Sequence, residues 1–99
     1  SSVCASFNLN INNNIIKSAS IAYGGMAAIP KRALLCEKSL LNKELSKENI
    51  NLAQQSLEND FNPIDDMRAS SKYRMKVAKN LLIKCFQEIN NKKLIRINA

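Results

Sequence analysis

Three consecutive stretches decide how this chain folds: VCASFNLNI at 3–11, NNN at 12–14 and IIKSASIAY at 15–23. In the first, Val3, Ala5, Phe7, Leu9 and Ile11 share one face, while Cys4, Ser6, Asn8 and Asn10 share the other. A period of two predicts a half-buried strand. Asparagine tolerates left-handed backbone at little cost, so Asn12–Asn14 predicts a tight turn. The third stretch alternates again, placing Ile15, Ala19, Ile21 and Tyr23 on one face with Lys17 as the exception. Together they spell an antiparallel hairpin. Two strands are marginal alone, so the apolar face calls for covering helices and one or two further strands.

Downstream, Gly24-Gly25 ends the second strand. Pro30 suits the first turn of a helix, and Ala33, Leu34, Cys36, Glu37, Leu40 and Leu41 predict a short amphipathic one in which Glu37 is the polar misfit. Ser46 is placed to cap a second helix, with Glu48 in its first turn and an apolar stripe of Ile50, Ala53, Leu57 and Phe61. Asn62-Pro63 breaks it. After a loop at 64–69, Ser70 or Ser71 caps the longest helix, expected to run to about Ile89 with Tyr73, Val77, Leu81 and Cys85 in one row and Ala78, Leu82 and Phe86 beside it. Residues 91–99 read as a basic tail, frayed or a short strand, after a domain at 1–90. The expected class is α+β, a small antiparallel sheet packed against three helices.

Ninety-nine residues fit one domain. No apolar run approaches the roughly 20 residues of a bilayer crossing, so no membrane partner is expected. Histidine is absent, which removes the commonest metal ligand and the side chain best suited to acid–base work at neutral pH. Cys4, Cys36 and Cys85 are odd in number and lack a CxxC spacing. They read as three small buried residues in a reducing cytoplasm, with no metal site and no disulfide framework. Neither a signal peptide nor a leading Met is visible, which reads as a piece of a longer polypeptide.

The net charge of +7 invites a nucleic-acid-binding reading. Against it, the lysines are scattered, and the five aromatics, Phe7, Tyr23, Phe61, Tyr73 and Phe86, sit at core positions rather than among the charges. Eleven lysines, fourteen asparagines and eleven isoleucines together read as compositional drift that loads surfaces with lysine, and no nucleic acid is expected.

Two irregular stretches carry the remaining information. The first, YGGMAAIPKRA at 23–33, reads either as a close-approach loop against a cofactor or partner domain, or simply as a strand end before a helix. In the second, FNPIDDMRASSKYR at 61–74, Arg68 or Arg74 could hold an anionic ligand in bidentate fashion. Alternatively Asp65 or Asp66 caps the helix while an arginine pairs with one of them.

With their spacing, these stretches resemble the C-terminal domain of the FAD-binding subunit of xanthine dehydrogenases, in the molybdenum hydroxylase family that includes carbon monoxide dehydrogenase and aldehyde oxidases. The resemblance covers about residues 1–88. It implies a sheet of three or four strands on three helices. It also implies an oxidoreductase in which molybdopterin and [2Fe–2S] clusters on other domains or subunits pass electrons to FAD and then NAD. FAD would be held mainly by a preceding domain, and this domain would pack on that one and on the iron–sulfur and molybdenum-binding parts. Gly24, Gly25 and Met26 match the family's Gly-Gly-Met turn, and Asp66, Met67 and Arg68 its Asp-Met-Arg loop. Tyr73 and Arg74 match the pair that opens the last helix. These eight are expected to shape loops and interfaces, with no catalytic residue, no metal ligand and no activity of this piece alone.

Overall fold

The computed structural model describes residues 3–62 and 70–98, with 91–98 as backbone alone. The chain is α+β. Strands β1 (Cys4–Asn12), β2 (Ile15–Gly24) and β3 (Lys31–Arg32) form one antiparallel sheet in the order β1-β2-β3. Helices α1 (Leu34–Leu40), α2 (Lys47–Asp60) and α3 (Ser71–Asn98) follow.

The hairpin turns through Asn13 and Asn14, both left-handed at φ 52° and 65°, between the paired residues Asn12 and Ile15. Positive φ at both central residues matches the twist of the flanking strands. The exception at Lys17 has a structural cause. Pairing holds from Cys4↔Gly24 to Asn10↔Ser18, then shifts to Ile11↔Ile16, so Lys17 is the extra residue of a β-bulge. The bulge inverts the alternation beyond it. Ile16, rather than the expected Ile15, is therefore fully buried, and Lys17 stays in solvent.

The third strand lies where the sequence suggested a helix start. Pro30 leads into β3, whose Lys31 and Arg32 pair with Tyr23 and Ala22. A fixed φ suits an extended edge segment as well as a first helical turn. In α1, Cys36, Glu37 and Leu40 are buried, whereas Leu34 and Leu41, expected on the apolar face, are exposed. Ser46 caps α2 as expected, its Oγ accepting the Asn49 N–H at 3.2 Å, and Ala53, Leu57 and Phe61 are buried along one stripe. Ser70 opens α3, its Oγ accepting the Tyr73 N–H at 3.0 Å. Ala78, Leu82 and Phe86 form the buried row of α3, and Val77, Leu81 and Cys85 are only half-buried.

Three expectations are corrected. Helix α3 continues past Ile89 to Asn98, since neither Pro nor Gly interrupts it. Tyr73 is 61% exposed, not a core aromatic. Cys4 is also exposed, because it sits on the outward face of the half-buried strand.

The core lies between the inward sheet face and the helices. Tyr23 is its centre: its ring meets Phe7 at 6.1 Å and Phe61 at 5.6 Å, both edge-to-face, and its hydroxyl donates to the Ala78 carbonyl at 2.8 Å. One side chain thus ties β1, β2, the end of α2 and α3 together.

Candidate functional site

The Gly-Gly-Met turn forms a constrained loop between β2 and β3. Gly25 adopts φ 85°, a region that favours glycine. A Cβ on Gly24 would sit 2.8 Å from the Cys4 Sγ. Met26 is 1% exposed and anchors the loop in the core. Past this anchor, residues 27–30 are in solvent, and Ile29 is 72% exposed.

Behind the loop sits a set of polar contacts that sequence reasoning missed. Glu37 accepts the Ile21 N–H at 2.8 Å, the Arg32 Nε at 3.0 Å and the Arg32 Nη2 at 2.6 Å. Its carboxylate therefore satisfies a buried strand amide and clamps β3 to α1. Asp60, at the end of α2, accepts the backbone N–H groups of Leu35 and Cys36, both at 2.8 Å. No side-chain cap comes from Ala33, the residue preceding α1, so Asp60 caps that helix from outside. Lys31 donates to the Asp60 carbonyl at 2.8 Å, with its Nζ 5.4 Å from the centre of the Phe61 ring. Glu37 gave a signal as a polar residue on an apolar helix face. So did Asp60: a carboxylate in the last turn opposes the helix dipole, which marks a residue retained for a partner elsewhere.

Replacing Glu37 by alanine leaves the Ile21 N–H buried without its acceptor. The expected loss is about 1–3 kcal/mol in urea unfolding. Arg32→Ala should cost clearly less, because the arginine side chain is 55% exposed and the bond to Ile21 survives.

Of the expected site residues, Gly24, Gly25 and Met26 lie together where β2 ends, with Met26 buried. Tyr73 and Arg74 stand at the start of α3 with opposite fates, Tyr73 exposed and Arg74 buried. Asp66, Met67 and Arg68 lie outside the described residues. The strand that leads into the loop is tied to the body of α3 through Tyr23, whose ring touches Phe61 and whose hydroxyl reaches Ala78.

The Cys36 and Cys85 thiols are poorly suited to nucleophilic work. Burial, then the charges of Asp60 and Glu37, pushes the Cys36 thiol from 9.0 up to about 12. Burial, then Glu88, pushes Cys85 up to about 11. Burial also raises the Tyr23 phenol above its ordinary value. Each of these acids keeps its proton longer folded than unfolded. The native state then binds more protons above pH 9, and stability falls as pH climbs from about 9 toward 12. The thermal midpoint of a Cys36→Ala variant should therefore fall less steeply than that of the parent chain between about pH 9 and 11. Among the described residues no group of three or more Cys, Asp and Glu is placed to hold a metal ion, and no helix is long and apolar enough to cross a membrane.

What the geometry defines, among the described residues, is a sheet-on-helices domain with a braced loop face. Residues 1–89 match the family described as the CO dehydrogenase flavoprotein C-terminal domain, and the chain belongs to it. Over 81 residues it is 33% identical to the glyceraldehyde dehydrogenase medium chain of Sulfolobus acidocaldarius, covering 82% of this chain and 29% of that protein. A crystal structure of Cu,Mo-CO dehydrogenase in its cyanide-inactivated form superposes with a TM-score of 0.73 at 28% identity, over 81% of this chain and 28% of that one. A third similarity, 36% over 90 residues, is to the Holliday junction branch migration complex subunit RuvA of Prochlorococcus marinus subsp. pastoris, covering 85% of this chain and 41% of that protein. The chain thus spans less than half the length of each of these proteins.

Proposed function

We propose that this chain serves as the C-terminal domain of the flavin subunit of a xanthine dehydrogenase-like molybdenum hydroxylase in the cytoplasm. There it completes the domain through which electrons pass from iron–sulfur clusters to FAD and on to NAD. The observation that carries this is the family match over 1–89, on a fold shared with Cu,Mo-CO dehydrogenase. The glyceraldehyde dehydrogenase medium chain supports an oxidoreductase subunit as the setting. Three free thiols accord with a reducing compartment.

FAD does not fit the described residues by themselves. Both glycines are committed, Gly24 to packing on Cys4 and Gly25 to a turn, and the loop runs into a strand rather than a helix N-terminus that would receive a phosphate. The flavin is therefore held by polypeptide outside these residues, and this chain's part is to dock. Its docking face is the braced one, where Ile29, Leu34 and Leu35 are 72%, 58% and 46% exposed. Asp66, Met67 and Arg68 are assigned an interface or loop-shaping role on the strength of the motif they match.

Purification of the native complex that carries this chain tests the assignment. Flavin, molybdenum and iron are expected together, and xanthine should bleach the flavin absorbance. Bleaching by aldehydes but not purines keeps the subunit role and overturns the purine substrate. A native complex without flavin overturns the subunit role. The net charge of +7 and the RuvA similarity favour a second reading, a basic nucleic-acid-binding module. DNA binding that weakens steeply with salt would support it. The exposed lysines are dispersed over β2, α1, α2 and α3, which argues against a single binding face.

A further inference from the structure

We draw no further inference here: the strongest candidate, the groove that β1 shares with α3 between Phe7, Leu9, Cys85 and Ile89, carries nothing because nothing in the structure shows what covers it.

Discussion

Replacing Tyr23 by alanine should remove a large share of the chain's stability, about 3–5 kcal/mol. The ring is fully buried, touches Phe7 and Phe61 edge-to-face, and bonds α3 through its hydroxyl. Truncating a buried aromatic costs about 3–5 kcal/mol, and a domain of this size is stable by about 5–15 kcal/mol in total. Tyr23→Phe separates the two contributions. It keeps the ring contacts and loses only the bond to the Ala78 carbonyl, so about 1 kcal/mol is expected. Urea unfolding followed by circular dichroism distinguishes the two variants. Equal losses in both would show that the hydroxyl, rather than the ring, holds the layers together.

The second large effect is expected at Asp60. Among the described residues its carboxylate is the only side-chain cap at the start of α1, and its two oxygens accept the part-buried Leu35 and buried Cys36 N–H groups. Hydrogen bonds to a charged acceptor contribute about 1.5–3 kcal/mol each, and two are lost in Asp60→Ala, so a loss of about 3 kcal/mol is a conservative figure. Asp60→Asn retains one acceptor oxygen and should recover roughly half. Amide exchange at Leu35 and Cys36 gives the local readout: both should become rapid in Asp60→Ala while the hairpin amides stay slow. Unchanged protection there would mean that α1 is held by packing of Cys36 and Leu40 alone.

The hairpin was legible because period two is a strictly local signal, and Asn13-Asn14 announced the turn. The shift at Lys17 was not, since a bulge inserts a residue whose position depends on the partner strand. Two-residue β3 is too short to show any period, and Pro30 is compatible with both of the structures it can start. In α1 the pattern failed at Leu34 and Leu41, which point outward from a helix barely two turns long. At the site, the Gly-Gly-Met loop could be picked out because Gly25 and Gly24 answer to backbone geometry. The contacts of Glu37 and Asp60 could not, because their partners lie 16 and 25 residues away. Tyr73 and Arg74 reverse the usual rule: the aromatic is outside and the cation inside.

The reach of Asp60 has a consequence for synthesis. As the polypeptide leaves the ribosome, Leu34–Leu40 emerges while the carboxylate that completes it has yet to be made. A seven-residue helix does not persist in water unaided. The segment must therefore wait, unstructured, until translation has passed Asp60, and any message truncated before that codon yields a hairpin whose covering helix never sets.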